Sequence, residues 1–152
     1  MIEINNLTTN QIDEEFLKEV AKRVLKKEGR VKVELSIALI GQGRMRKLNK
    51  KYRGKNRVTD VLAFPETKVL LEKFKVGPSQ KVQGLGEIVI CLREVKKNAK
   101  RFNSALETEL ARVLIHGILH LLGYNHEISE EKAKEMEEKQ NYYLKICQEL
   151  IS

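Results

Sequence analysis

The sequence predicts a single globular domain that contains both β-strands and α-helices, and three observations support this. The chain has 152 residues, which is a usual size for one domain with its own hydrophobic core. Its composition, 41% hydrophobic and 33% charged, is typical of a globular protein. Hydrophobic residues alternate with polar ones in some segments and recur every three or four positions in others, which indicates strands and amphipathic helices respectively.

The first 65 residues predict three strands and two helices. Hydrophobic and other residues alternate over Val31–Leu39, which is typical of a strand with one buried face. Thr9 or Asn10 can cap the helix that precedes this strand, and Gly41 and Gly43 interrupt the chain after it. The predicted elements are, in order, a strand at Met1–Asn6, a helix that ends at Gly29, the strand at Val31–Leu39, a short basic helix that ends near Tyr52, and a strand at Val61–Phe64 closed by Pro65.

The rest of the chain predicts one more strand and three helices. Glu66–Gln83 shows no clean period, and with its turn at Gly77–Ser79 it is interpreted as a surface excursion or hairpin. Ser104 and Glu107 form a capping-box pair before a helix that is almost entirely hydrophobic in its second half and ends at Gly123, and such a helix is normally buried. The predicted elements are a strand at Glu87–Cys91, a helix at Leu92–Arg101, the buried helix, and a last helix at about Ser129–Ile151.

The sequence also favours a reducing, cytoplasmic location. No hydrophobic run approaches the roughly 18 residues that a membrane-spanning helix needs. The N-terminal residues lack the basic and hydrophobic regions of a secretory signal. The two cysteines, Cys91 and Cys147, are too few for a disulfide framework. We therefore expect a soluble cytoplasmic protein that does not bind membranes.

The net charge of +8 is concentrated in the first two thirds of the chain. Within Gly43–Pro65 no acidic residue precedes Asp60, and close positive charges of this kind repel one another unless a polyanion such as nucleic acid neutralises them. A lysine-rich solvated face of an amphipathic helix is an equally good interpretation of the charge alone. The candidate RNA-binding residues are the eight basic residues of this segment: Arg44, Arg46, Lys47, Lys50, Lys51, Arg53, Lys55 and Arg57.

All three histidines of the chain fall in the 11-residue segment HGILHLLGYNH. His116 and His120 are four residues apart on the predicted buried helix, so their rings project from the same face. Gly123 ends that helix, and the chain can then fold back to bring His126 to the pair. Three imidazoles leave a fourth tetrahedral position free, which is the arrangement of a catalytic zinc site. The alternative is a set of histidines with ordinary hydrogen-bond partners in the core.

The spacing H-x3-H-x5-H also resembles the zinc motif of the metzincin peptidases. Those enzymes place a glutamate directly after the first histidine as the general base, whereas this chain has Gly117 there. A glycine inside a helix costs about 1 kcal/mol relative to alanine, so we expect a packing or access reason for it. A peptidase is therefore the weakest of the functional hypotheses.

Three segments, in this order, together resemble the YbeY family of bacterial metal-dependent endoribonucleases. They are YRGKNRVTDVLAFP, GEIVIC and HGILHLLGYNH, against the family patterns YRxKDxPTDVLSFP, GDIxI and HGxLHLxGYDH. None of the differences removes a histidine, although asparagine in place of aspartate before His126 can weaken the support of a metal site. The positions that depart from the family patterns are Asn56, Val58, Ala63, Glu87 and Asn125.

The resemblance implies a fold and a set of site residues. The fold is a single α+β domain over residues 1–152, in which helices flank a four-stranded mixed sheet and the helix with the HxxxH pair is buried at the centre. His116, His120 and His126 are the implied ligands of one Zn²⁺ per chain, although three imidazoles also suit nickel, copper or cobalt. Arg53 matches an arginine that is functionally important in the family, and we take Arg53 and His116 as the catalytic candidates.

The resemblance further implies an activity, the cleavage of single-stranded RNA. The family acts in 3′-end maturation of small-subunit ribosomal RNA and in ribosome quality control, which makes ribosomal RNA and the small subunit the expected partners. An alternative from another class is a ribosome-assembly factor that binds RNA and uses the metal structurally. No aromatic residue is an obvious stacking platform for bases, and Tyr52 and Tyr124 are the nearest candidates. Asp60, Glu87 and Glu127 are candidate assisting acids, and none is assigned as a general base.

Overall fold

The computed structural model describes residues 1–66 and 83–151, and residues 67–82, in which the surface excursion and its turn are predicted, lie outside this part of the chain. Within the described ranges, no helix is long and hydrophobic enough to cross a bilayer. The strands and helices are β1 (Ile2–Asn6), α1 (Glu14–Lys27), β2 (Val33–Ile40), α2 (Gln42–Arg53), β3 (Val61–Pro65), β4 (Gln83–Cys91), α3 (Leu92–Arg101), α4 (Leu106–Leu121) and α5 (Glu130–Cys147), followed by a 3-10 turn at Gln148–Leu150.

The four strands form one mixed sheet in the order β1-β2-β4-β3. β1 is parallel to β2 and β2 is parallel to β4, whereas β3 is antiparallel to β4. Among the described residues β3 is an edge strand with no strand paired on one of its sides, and the loop that leads into it lies at the margin of the sheet. This topology confirms the predicted α+β class and the four-stranded mixed sheet.

Helices cover both faces of the sheet, and α4 is the central one. The larger hydrophobic cluster joins α1, α3, α4 and α5 to one face, which includes Ile37 and Ile88. A smaller cluster joins α2, through Met45, to Val89 and its neighbours on the opposite face. Helix α4 contacts α1, α3, α5, β3 and β4, so it is packed on most of its circumference. The predicted buried helix with the HxxxH pair is therefore confirmed.

Two predicted helix caps are wrong because the side chains concerned have other partners. Asp13 caps α1, its Oδ1 accepting from the Phe16 N–H at 3.1 Å, while the Thr8–Asn10 segment forms its own turn with Asn6. Helix α4 begins after Ala105 without a side-chain cap, since Ser104 Oγ donates to Glu109 Oε1 at 3.2 Å. Several boundaries also differ from the prediction: Gly43 lies inside α2, Pro65 lies inside β3, β4 begins at Gln83, β2 spans Val33–Ile40, and the last helix ends at Cys147.

Gly117 is the point of closest approach between α4 and the sheet. A Cβ atom at this position would lie 3.0 Å from Ile88 Cγ2 and 3.2 Å from Ile88 Cδ1. Such distances are shorter than ordinary van der Waals contacts, so a larger residue would push the helix away from β4. Close packing against Ile88 therefore explains why a glycine is present here, as we expected from its cost inside a helix.

Glu28, at the C-terminus of α1, joins three parts of the chain through one carboxylate. It accepts hydrogen bonds from the hydroxyls of Tyr124, at 2.8 Å, and Tyr143, and it pairs with Lys139 Nζ at 3.3 Å. Tyr124 belongs to the loop after α4, whereas Lys139 and Tyr143 belong to α5. Burial opposes ionisation of this carboxyl, but the hydrogen bonds outweigh it and hold the pKa of Glu28 below its ordinary value.

The Gly117 contact predicts a specific packing penalty. We expect Gly117→Val to lower the free energy of unfolding by about 1–3 kcal/mol, because the added methyl groups overpack the space against Ile88. Urea denaturation measures this value. In an Ile88→Ala background, which removes the contacting atoms, the same substitution should cost at least about 1 kcal/mol less. Equal penalties in the two backgrounds would mean that the close approach is not the cause.

The Glu28 contacts predict a pH-dependent contribution to stability. At pH 7 we expect Glu28→Gln to lower the free energy of unfolding by about 1–3 kcal/mol, because hydrogen bonds to a charged acceptor are lost. The folded state depresses the pKa of Glu28 from its ordinary 4.5, so this stabilisation is complete above about pH 4.5 and is lost as the pH falls through the folded-state pKa. In urea titrations, the free energies of unfolding of the wild type and Glu28→Gln should therefore differ less at pH 3 than at pH 7.

The matched control is Glu137→Gln, an exposed glutamate on the same helix as Tyr143, which we expect to change stability by less than about 0.5 kcal/mol. A difference between wild type and Glu28→Gln that is as large at pH 3 as at pH 7 would contradict the role of the ionised carboxylate.

Candidate metal centre

The three histidines converge where α4 ends. His116 and His120 lie one turn apart on α4, and their ring centroids are 4.8 Å apart. The His126 ring lies 5.5 Å from that of His116 and 5.1 Å from that of His120. His116 and His120 are partly buried, whereas the side chain of His126 is 42% exposed. The three rings therefore form a cluster that is buried on the α4 side and accessible on the other.

The geometry of this cluster fits a single metal ion. One ring nitrogen from each histidine lies within 4.8 Å of those of the other two. A tetrahedral Zn²⁺ with Zn–N bonds of about 2.0–2.1 Å holds its nitrogens about 3.3 Å apart. Rotation of the three side chains would bring one nitrogen of each to a shared ion, so these residues fit a three-histidine metal site.

The electrostatic environment favours the neutral imidazoles of His116 and His120, the form in which histidine binds a metal. Burial lowers the pKa of His120 to about 4, and the proximity of His116, His126 and Arg53 acts in the same direction. Burial also lowers the pKa of His116, although its hydrogen bond to Gln140 opposes the shift. Both rings consequently have a free lone pair at neutral pH.

Gln140 fixes the orientation of His116. Its Oε1 lies 2.8 Å from His116 Nδ1, and because an amide oxygen can only accept, Nδ1 donates and Nε2 keeps its lone pair. Hydrogen bonds of this kind orient metal-binding histidines and increase their basicity. The sequence analysis missed Gln140, since a glutamine in the middle of α5 shows no local signal of such a role.

The loop after α4 brings His126 to the other two rings. Gly123 has a φ of +102°, which a residue with a side chain rarely adopts, and the Tyr124 N–H donates to the Leu119 carbonyl at 3.0 Å. Asn125 Oδ1 accepts from the Glu127 N–H at 2.8 Å and so closes a turn around His126. The asparagine that departs from the family pattern therefore still supports the loop, without the charge of an aspartate.

A cleft of about 360 Å³ lies beside the histidines. Helix α4 lines one side of it, and β3 with the loop that precedes it lines the other. Of the eight predicted RNA-binding residues, three line this cleft, Arg53, Lys55 and Arg57. All eight are exposed, and none forms an ion pair with an acidic side chain in the described ranges. Five of them lie outside the cleft lining, on α2: Arg44, Arg46, Lys47, Lys50 and Lys51.

The basic loop is held in place by a buried residue that the sequence analysis missed. Asn49 on α2 is 3% exposed, and its Nδ2 donates to the Arg57 carbonyl at 2.9 Å. Gly54 ends α2 with a φ of +69°, and its N–H donates to the Lys50 carbonyl at 3.1 Å. These contacts lead the chain from α2 to the edge strand, which places Arg53 near His120.

The three candidate acids lie in different positions. Asp60 lines the cleft, and its Oδ2 lies 3.5 Å from Asn98 Nδ2. Glu127 Oε1 lies 4.0 Å from His126 Nε2. Glu87 is exposed on β4 and does not line the cleft. Only Asp60 is therefore placed to face a molecule bound in the cleft.

Taken together, the site combines three histidines that can hold one metal ion with an adjoining cleft whose rim is positively charged. A metal ion next to arginine and lysine suits a substrate with negatively charged oxygens, such as a phosphodiester. A metzincin peptidase needs a glutamate at position 117, where this chain has a glycine whose added Cβ would lie only 3.0 Å from Ile88 Cγ2.

Comparison with known proteins identifies the family to which this chain is similar. The family model described as "Endoribonuclease YbeY" matches residues 3–148. Curated proteins with the same name include one from Sulfurihydrogenibium sp., 39% identical over 128 residues (84% of this chain and 79% of that protein). Another, from Thermotoga maritima, is 42% identical over 131 residues, which is 86% of this chain and 77% of that protein.

A solution structure of a Thermotoga maritima protein has the same fold. It superimposes with a TM-score of 0.64 and is 36% identical, covering 97% of this chain and 89% of that one. The match of the family model over nearly the whole chain and the identity of about 40% to its curated members leave one conclusion. This chain belongs to the YbeY family of endoribonucleases.

Proposed function

We propose that this protein is a zinc-dependent endoribonuclease that hydrolyses phosphodiester bonds of single-stranded RNA. The observation on which the proposal depends is the cluster of His116, His120 and His126 beside a cleft with a basic rim. Family membership supplies the class of reaction, and the chemistry of three imidazole ligands supplies the preference for a divalent transition metal. One Zn²⁺ per chain is the proposed cofactor.

The residues of the chain have separate roles in this proposal. When bound, the metal supplies Lewis acidity toward a phosphoryl oxygen and activates water for attack on phosphorus. Arg53 binds the same phosphate through its guanidinium and offsets the charge that develops on it. Lys55 and Arg57 bind neighbouring phosphates along the cleft, and the five basic residues of α2 extend the positive surface beyond it. Gln140 keeps His116 in the tautomer that leaves Nε2 free.

The biological substrate that we propose is ribosomal RNA. The resemblance to the family points to 3′-end maturation of small-subunit ribosomal RNA and to ribosome quality control in the cytoplasm. The net charge of +8 supports an RNA partner of this kind, because a basic protein associates rapidly with a polyanion. Cleavage of a transcript that spans the 3′ end of the small-subunit RNA, compared with an unrelated single strand of equal length, tests this substrate.

The metal ligands generate the first prediction on activity. We expect the purified protein to contain one zinc per chain and His120→Ala to lose most of this metal. The rate of RNA cleavage by His120→Ala should fall at least about 100-fold, because several kcal/mol of transition-state stabilisation disappear. Elemental analysis and cleavage of a labelled oligoribonucleotide measure the two effects. Chelator should abolish wild-type cleavage, and added Zn²⁺ should restore it in the wild type only.

Circular dichroism and RNA binding separate this proposal from the alternative of an RNA-binding assembly factor. If His120→Ala retains its fold and binds RNA while cleavage is lost, the metal is catalytic. Global unfolding of this variant would instead assign the metal a structural role. Unchanged RNA cleavage in chelator would exclude the metal mechanism altogether.

Arg53 generates a second prediction, in which its effect differs from that of a residue that only binds RNA. We expect Arg53→Ala to lower kcat by roughly 100- to 1000-fold, since a donor to the reacting phosphate is removed. Arg46→Ala, on the same helix but outside the cleft, should raise KM slightly and leave kcat unchanged. Steady-state kinetics on one oligoribonucleotide measures both. If both substitutions change only KM, and by the same factor, Arg53 has no role in the chemical step.

A further inference from the structure

The part of the cleft wall formed by α3, the turn after it and α4 includes residues for which the proposed reaction has no use. Phe102 and Asn98 come from α3 and the turn after it, and Arg112 comes from α4. Arg112 precedes His116 by four residues on the same helix, so the two side chains lie on one face about 6 Å apart along the axis. This part of the cleft wall therefore adjoins the metal cluster.

Phe102 is an exposed aromatic ring in the wall of a polar cleft. It is 60% exposed, although burial would normally be favourable for a phenylalanine. Asn103, the next residue, has a φ of +51°, so the chain turns sharply between α3 and α4 and leaves the ring at the corner. An accessible aromatic face beside basic residues is the usual platform for stacking a base of a single strand.

Arg112 contributes hydrogen-bond donors to the same part of the cleft wall. Its Nη1 lies 3.5 Å from Oε1 of the buried Glu109, whose carboxylate also accepts from Ser104. Its Nε is buried and has no hydrogen-bond partner, and within the described residues no other buried side-chain nitrogen or oxygen lacks one. A guanidinium has five N–H donors, so the contact with Glu109 anchors Arg112 and leaves Nη donors of this partly exposed side chain for a further partner.

Two polar side chains that suit the edge of a base also line this cleft. Asp60 and Asn98 face each other across 3.5 Å and both line the cleft. A carboxylate accepts from the exocyclic amino group of a base, and an amide can both donate and accept. An aromatic ring, a guanidinium and two hydrogen-bonding side chains thus match the three parts of a nucleotide: the face of its base, its phosphate and the edge of its base.

We propose that Phe102, Arg112, Asn98 and Asp60 form a nucleotide subsite of the cleft. A base of the RNA strand stacks on Phe102, the phosphate of that nucleotide binds Arg112, and the neighbouring phosphodiester reaches the metal cluster. This inference rests on the proposed ribonuclease function, because it places one specific nucleotide of the strand next to the cleaved bond.

Kinetics on abasic substrates tests the stacking contact. Phe102→Ala in the metal-loaded protein should raise KM for a short oligoribonucleotide by roughly tenfold, within the range measured for loss of one base–aromatic contact. A second set of substrates lacks the base of one nucleotide at a time. With the wild type, KM should rise by a similar factor when the base is missing at one particular position near the cleaved bond. With Phe102→Ala this rise should vanish, since the two partners of one contact are coupled.

Three further variants separate stacking from structure. Phe102→Tyr keeps the ring and should behave like the wild type, whereas Phe102→Leu keeps the hydrophobic volume and should behave like Phe102→Ala. Tyr142→Ala removes an aromatic ring of similar exposure on α5, outside the cleft lining, and should leave KM unchanged. Wild-type KM in Phe102→Leu, or abasic losses that persist unchanged in Phe102→Ala, would overturn the proposal.

The salt dependence of binding tests Arg112. We expect Arg112→Gln to reduce the slope of log Kd against log salt concentration by about 0.7, the value for one phosphate contact on a single strand, and Arg112→Lys to restore it. Fluorescence of an oligoribonucleotide with 2-aminopurine at the sensitive position should be quenched by the wild type and much less by Phe102→Ala. This binding signal is independent of cleavage, so it supports or overturns the subsite even if the protein cleaves no RNA.

Discussion

The close packing of α4 against β4 is the constraint on which the rest of the structure depends. Gly117 allows the helix to approach Ile88 so closely that an added Cβ would lie only 3.0 Å from Ile88 Cγ2. With one face of α4 against the sheet and its flanks against α1, α3 and α5, only the strip with His116 and His120 remains at the margin, opposite edge strand β3. Burial of the helix and exposure of its two histidines are thus consequences of one packing arrangement.

Each histidine has a different source of support. His116 depends on Gln140 of α5, and His120 depends on the regular geometry of α4 itself. His126 depends on a loop whose Tyr124 is bound by the carboxylate of Glu28, at the end of α1. The cluster therefore forms only when helices α1, α4 and α5 have assembled, which couples the integrity of the core to the geometry of the site.

The eight basic residues between Arg44 and Arg57 form two surfaces with different relations to the cleft. Arg53, Lys55 and Arg57 line it, because Gly54 and Asn49 lead the chain from α2 around to the edge of the sheet. The other basic residues of α2 lie on the opposite face of the sheet from α4 and are suited to binding a long RNA beyond the cleft. A single run of basic residues in the sequence thus contributes both to the wall of the cleft and to an outer surface.

The sequence by itself determined the features that depend on local spacing. These features are the i, i+4 pair of His116 and His120, the break at Gly123 and the alternation in β2, and each follows from residues close together in the chain. The four-stranded mixed sheet was predicted from the motifs shared with the family. Only the tertiary structure decided the caps of α1 and α4, the role of Gln140 and the position of Phe102 and Arg112 in the cleft. Gln140 lies 24 residues from His116, and Glu28 lies 96 residues from Tyr124. Contacts over such separations arise from the packing of whole helices, so no local pattern of residues encodes them.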